Sequence, residues 1–177
     1  MGSGNGFALP QWVTIDYFGN PILPGNTVNL GPIQGEVVTP AAVSPSYRDV
    51  LSNLTTATLE WGWDGKGVPQ NHSSFTLEYK IDNGNVNVVN GIAALSYPLS
   101  GLSPSNKVNW RVASVDHSGN KSWSAWSEFF IKRNSPIYVK SNGTGTGSSW
   151  ATATNLQNAL AIAIPSDEIW VAAGTHR

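Results

Sequence analysis

The sequence predicts a mainly β fold, an antiparallel sandwich followed by a small strand–helix–strand unit. Three observations carry that reading. The stretches Thr58-Leu59-Glu60-Trp61-Gly62-Trp63 and Ser74-Phe75-Thr76-Leu77-Glu78-Tyr79-Lys80-Ile81 alternate apolar and polar residues with period two, the mark of half-buried antiparallel strands. Further strand-like runs follow at sandwich spacing, each bounded by turn residues. Near the end the period changes: Leu156, Ala159, Leu160 and Ala163 fall at i, i+3, i+4 and i+7, one face of a helix. Because successive side chains of a strand point to opposite faces, Leu59, Trp61 and Trp63 share one face, as do Phe75, Leu77, Tyr79 and Ile81. Those faces are the expected core.

At 177 residues the chain suits one full domain with flanking pieces, or two small domains. Hydrophobic residues make up 40% and charged residues 12%, the latter about half the usual share. Asn, Ser, Thr and Gly carry the polar surface instead. A formal net charge of -1 supplies no basic field, so nucleic acid and anionic membranes are excluded as expected partners. With no cysteine, neither a disulfide framework nor a thiolate metal site can be built. No apolar run is long enough for a membrane span. Met1-Gly2-Ser3-Gly4 reads as an expression scar rather than a signal peptide, so the sequence is expected to be an excerpt of a longer protein.

Taken in order, residues 1–35 form an N-terminal arm. Two short strand-like pieces, Trp12-Val13-Thr14-Ile15 and Thr27-Val28-Asn29-Leu30, are separated by the turn residues Gly19-Asn20-Pro21 and Pro24-Gly25-Asn26. Residues 36–46, punctuated by Pro40 and Pro45, make a stiff linker, the first edge strand of the sandwich, or both. After Ile81, Asp82-Asn83-Gly84 signals a hairpin whose returning strand is expected over residues 85–89. A long alternating strand runs from Val108 to Ser114, Asp116-His117-Ser118-Gly119-Asn120 turns it back, and the last sandwich strand covers about 127–131. Beyond Pro136, Ile137-Tyr138-Val139-Lys140 is a strand and Gly143 to Ser149 a loop. The helix is expected over about 154–163, capped by Thr154 or Asn155. Residues 167–175 hold another strand, and a crossover helix is the minimal way to make two strands parallel.

Several of these stretches resemble known families. The Trp-bearing second strand, Leu77-Glu78-Tyr79, Leu99-Ser100-Gly101-Leu102-Ser103-Pro104 and Trp110-Arg111-Val112-Ala113-Ser114-Val115-Asp116 together resemble a fibronectin type III domain over residues 36–133. That implies a seven-stranded, immunoglobulin-like sandwich without a disulfide. The family's usual Tyr at the start of the sixth strand is Val108 here, so the corner is expected to be apolar and Trp110 to carry more of the core. Trp123-Ser124-Ala125-Trp126-Ser127 is similar to the Trp-Ser-x-Trp-Ser motif of cytokine receptors. With Trp110 inward, Arg111 points outward and can stack on Trp123 or Trp126, a contact worth about 0.5–2 kcal/mol. A structural latch is the plainer reading, and an exposed aromatic surface that meets a ligand the sharper one. Residues 134–177, with the Ile-Tyr-Val strand, Ser149-Trp150-Ala151, the helix and Asp167-Glu168-Ile169-Trp170-Val171-Ala172, resemble the N-terminal capping turn of a bacterial right-handed parallel β-helix. Such a turn buries its faces only against neighbours. In the arm, Asp16-Tyr17-Phe18-Gly19-Asn20-Pro21 with Val28-Asn29-Leu30-Gly31 weakly resembles a β-helix closing segment, against the alternative of an irregular arm.

Chemistry is scarce. His72 and His117 fall at one pole of the implied sandwich near Asp64 and Asp116, where a weak metal site is conceivable. Solvated loop residues are the plainer reading, because no close ligand spacing supports zinc. Asp82-Asn83-Gly84-Asn85 lacks the later Glu of a calcium loop. Asp167 and Glu168 diverge to opposite faces and read as solvated capping residues rather than a catalytic pair. No catalytic residue, cofactor or metal is therefore expected. The surface to watch is Arg111, Trp123, Trp126, His72 and His117.

The function expected is a non-catalytic spacer or adhesion module of a secreted or cell-surface bacterial protein. Its partners would be neighbouring domains of the same polypeptide, with glycans or another copy of the chain as further candidates. The alternative is a carbohydrate-binding or accessory module of a polysaccharide-degrading β-helix enzyme. That alternative needs aromatic rings exposed in a row, for which Trp12, Trp63, Trp123, Trp126, Trp150 and Trp170 are the candidates.

Overall fold

Two antiparallel sheets face each other across a core of interleaved aromatic and aliphatic side chains. The computed structural model describes residues 39–52, 54–63 and 72–176. The arm, with Trp12 and the 16–31 resemblance, lies outside the described residues, as does Asp64. One sheet contains β1 (Pro40–Ser44), β3 (Thr56–Trp63) and β6 (Ser96–Ser100), in the order β1-β3-β6. The other contains β2 (Asp49–Leu51), β9 (Ser127–Ile131), β7 (Lys107–Asp116), β4 (His72–Ile81) and β5 (Asn87–Ile92), in the order β2-β9-β7-β4-β5, with β8 (Lys121–Trp123) also paired to β7. The protein is mainly β and the sandwich is antiparallel apart from β2, which runs parallel to β9.

Nine strands reduce to seven runs because the first and last are each broken once. Pro45 has no N–H to give to a ladder, and the chain leaves one sheet at Ser44 and joins the other at Asp49. The last run is interrupted at Ser124-Ala125-Trp126: β8 pairs with the far end of β7, from Ala113↔Trp123 to Val115↔Lys121, and β9 with its near end, from Lys107↔Phe130 to Trp110↔Ser127. Residues 40–44 are thus an edge strand on β3.

Burial follows the period-two pattern. Leu59, Trp61, Phe75, Leu77, Leu99, Leu102, Val108, Trp110, Val112, Phe129 and Ile131 form the core, with Trp63, Tyr79 and Ile81 packed at its margin. Val108 and Trp110 are both fully buried. Truncating an aromatic of that size in a core costs about 3–5 kcal/mol. The β4–β5 turn differs from expectation: its returning strand begins at Asn87 and runs to Ile92. Asp82 accounts for this, with a positive φ of 52° and a carboxylate that accepts from the Lys107 amide at 2.8 Å and the Asn106 side chain at 2.8 Å. That clasp ties the turn to the loop before β7 and delays the pairing.

The chain divides after Val37, and Val38–Arg177 is one compact unit that includes the last stretch. There β10 (Ile137–Val139) and β11 (Ile169–Val171) pair in parallel, and α1 (Leu156–Ile162) crosses between them. Asn155 is the cap, its side chain accepting from the Asn158 amide at 2.9 Å. Ile137, Val139 and Ala159 form a second small core. Leu160, expected on the buried face, is 56% exposed. The helix is seven residues long and meets the sheet chiefly through Ala159, leaving Leu160 uncovered. Among the described residues no helix is long and apolar enough to cross a membrane.

Candidate functional site

The outer face of the six-stranded sheet gathers the first group of residues. Along the first part of β7 the buried residues Val108, Trp110 and Val112 alternate with the half-buried Asn109 and Arg111, which face out. Arg111 sits directly opposite Glu78 on β4. Its Nε donates to Glu78 Oε2 at 2.8 Å and its Nη2 lies 2.7 Å from the same oxygen. The guanidinium carbon is 4.3 Å from the Trp123 ring centroid and 4.8 Å from that of Trp126. Lys121 adds a further cation 5.9 Å from Trp123.

The break between β8 and β9 makes this stacking geometrically possible. The Ser124 amide donates to the Val112 carbonyl at 2.8 Å, and the Ser124 hydroxyl accepts from the Val112 amide at 3.1 Å. A side-chain oxygen thus replaces the backbone acceptor that a continuous strand would offer, so the chain bulges while its hydrogen bonds stay satisfied. The bulge brings Trp123 and Trp126 to the same guanidinium. Trp126 remains 41% exposed and Trp123 only partly so. Glu78 is the residue sequence reasoning missed; the cross-strand register, had it been followed, points to it.

His72 and His117 lie at the pole. His72 is half-buried, its ring centroid 4.3 Å from Phe75 and 5.2 Å from Trp63, with Nδ1 and Ser114 Oγ 3.0 Å apart. It plugs the end of the core rather than standing in a solvated loop. Burial first, and the charge of His117 second, hold its pKa below the usual histidine value. His117 is exposed in the turn that Asp116 organises by accepting from the Ser118 and Asn120 amides and the Asn120 side chain. Those bonds, led by Asn120's side chain, lower the Asp116 pKa. Among the described residues no three metal-ligating side chains converge.

A third constellation lies on the strand–helix–strand unit. Tyr138 and Trp170 are register partners, and their rings meet edge-to-face at 5.7 Å. Trp150, from the loop, meets Tyr138 edge-to-face at 5.0 Å on its other side. Trp150 and Trp170 are each 48% exposed. Trp61 is buried in the sandwich core and Trp63 stacks on Phe75 at 5.4 Å, so of the candidate tryptophans Trp150 and Trp170 form a row here, with the half-buried Tyr138 between them. Tyr138 was not singled out from sequence; the parallel pairing of β10 and β11 supplies it.

The sandwich and this unit meet at an ion pair. Asp167, with a side chain only 1% exposed, accepts from Arg133 Nε at 3.1 Å and from the Ile164 amide at 3.0 Å. Arg133 Nη2 also donates to the Ile162 carbonyl at 3.3 Å. Asp167 is therefore an interior fastening, not the solvated cap expected of it. The difference arises because Asp167 turns inward beneath the helix end while Glu168 points out.

No family model matches the sequence, and no curated protein does. Solved structures similar to it include an Fn3-like protein from Clostridium thermocellum, 19% identical over 54% of this chain and 94% of that one, with a TM-score of 0.37. The fibronectin(III)-like modules of Clostridium thermocellum CbhA are 12% identical over 52% of this chain and 94% of theirs, at a TM-score of 0.39. The fibronectin type III domain of human fibronectin type III domain containing protein 3 is 19% identical over 59% of this chain and 94% of its own, at 0.41.

Proposed function

We propose that this chain is a non-catalytic spacer and orienting module of a secreted or cell-surface multidomain protein, built on a fibronectin type III sandwich. The observation that carries the reading is the joint. Ile131 ends β9 and Ile137 begins β10, so a short connection links the two, and Arg133 within it is bonded both to Asp167 and to the end of α1. A short connection with a buried fastening fixes an angle, whereas relative motion is the default for linked domains without one.

The strand–helix–strand unit is read as the start of a parallel β-helix. Its support is a parallel β10–β11 pair covered by a crossover helix on one face, with β11 paired to β10 alone among the described strands. Residual dipolar couplings on the full chain test the joint. One alignment tensor should fit both the sandwich and residues 137–171, and Arg133→Ala should split it into two. Two independent tensors in the unsubstituted chain would end the spacer reading.

A further inference from the structure

The row Trp150–Tyr138–Trp170 lies on the outer face of the β10–β11 pair. We infer that this row is a binding platform for a neutral glycan chain, its pyranose rings stacking on Trp150 and Trp170.

Exposure is the first argument. Core demand explains Trp61 and Trp110, and cation stacking explains Trp123. Neither covers Trp150 and Trp170, each nearly half open to water. Two large rings held this way expose apolar area that burial against a ligand would remove.

The rings are also held in place. Trp150 sits in a turn closed by the Thr152 amide donating to the Ser149 carbonyl at 3.2 Å, and hydroxyl contacts Ser149–Thr152 at 3.0 Å and Ser148–Thr152 at 2.9 Å brace it. Trp170 is fixed on its strand, with Nε1 donating to Glu168 Oε2 at 3.2 Å. Tyr138 stands between them. A platform fixed before binding loses little entropy when a ligand arrives.

The border of the row selects the ligand class. Strand alternation puts Glu168 and Trp170 on one side of β11, and Tyr138 and Lys140 on the matching side of β10. The Glu168 carboxylate bonded to Trp170, Lys140 on the Tyr138 side of β10 and the hydroxyls of Ser148, Ser149 and Thr152 in the turn that carries Trp150 give this face both acceptors and donors, with its one negative and one positive group in balance. That set matches a ligand whose faces are C–H and whose edges are hydroxyl groups. An apolar protein partner would call for aliphatic neighbours, and the exposed aliphatic residues of this unit, Leu160 and Ile162 on α1 and Val171 opposite Val139 on β11, fall on the other face of the pair. A further strand joining the side of β11 that meets no described strand would extend the sheet sideways and leave this face open.

The test uses the full chain with cellohexaose, xylohexaose and chitohexaose, each followed by tryptophan fluorescence and calorimetry. At least one should bind saturably and shift the emission. Trp150→Ala and Trp170→Ala should each weaken it about tenfold, Trp150→Phe should retain most of it, and Trp126→Ala should leave it unchanged. Circular dichroism and melting temperature confirm that each variant is folded. Silence with all three sugars overturns the inference, as does binding that survives the Trp150/Trp170 double substitution. Sedimentation supplies the remaining outcome: self-association abolished by the same substitutions, without sugar binding, makes the row an interface between copies and equally overturns it.

Discussion

Arg111 lies 4.3 Å from the ring centroid of Trp123 while its guanidinium holds Glu78 at 2.7 Å. One cation thus serves a carboxylate on one neighbouring strand and an aromatic face on another. Arg111→Ala should cost about 1.5–3 kcal/mol, the sum of a stacking contribution and a carboxylate left half-buried. Arg111→Lys should recover little, because an ammonium lacks the flat face that both rings meet. Urea unfolding of the two variants measures this, and a cycle with Trp123→Ala should return a coupling of about 0.5–1 kcal/mol. A Lys variant as stable as the parent would contradict the stacking account.

Ser124 predicts a local effect. Its hydroxyl is the acceptor for the Val112 amide, and Ser124 is only 8% exposed. Ser124→Ala should cost about 1–3 kcal/mol by leaving that amide unpaired. Hydrogen exchange should accelerate at Val112 ahead of the amides of β4. Unchanged protection there would mean that the bulge satisfies Val112 by another route.

Much of the sandwich is legible in sequence because period-two alternation and burial are the same constraint written twice. Leu59, Trp61, Phe75 and Leu77 are buried for the reason they alternate. What is not legible depends on register. The partnership of Glu78 with Arg111, and of Tyr138 with Trp170, is set by pairing between distant segments, which no local pattern encodes. Asp167 misleads for a related reason, since its burial depends on an arginine 34 positions away. Leu160 shows the converse: a helical period marks a face, but the face is buried only as far as a covering sheet extends.

Stability should fall steadily with acidification, in two stages. The folded-state pKa of His72 is lowered, chiefly by burial, so the unfolded chain binds more protons and stability declines as pH drops below the ordinary histidine value near 6.5. Glu128 and Asp116 are lowered too, the first led by its bond to Lys107 and the second by its bond to Asn120. Their contributions are whole above the ordinary carboxylate range and vanish as pH falls through their folded values. Melting temperatures taken across this range should show both stages, and His72→Gln should flatten the first only. A melting temperature that rises between neutral pH and pH 5 would contradict the burial of neutral His72.

Gly143 predicts sensitivity without unusual backbone. A Cβ there would collide with the Thr154 carbonyl and come within 2.7 Å of the Ala153 carbonyl oxygen. Gly143→Ala should therefore cost about 1–3 kcal/mol, read as faster exchange at Thr154 and Lys140, with the sandwich amides unaltered. Gly119→Ala meets nothing within 4 Å but carries a φ of +84°, and should cost about 1 kcal/mol through its backbone alone.

The two sides of β10 are unequal. One is occupied by the loop, through Thr154 N–H to the Tyr138 carbonyl at 2.9 Å and Tyr138 N–H to Gly147 at 2.8 Å; on the other lies β11, whose far side meets no described strand. Accretion of sheet on this unit therefore has a direction. A strand arriving from the loop side finds those groups of Tyr138 already bonded, while the far side of β11 meets no described strand. On the proposed β-helix reading, further parallel strands would therefore add beside β11 and not beside β10, whose other side the loop already occupies.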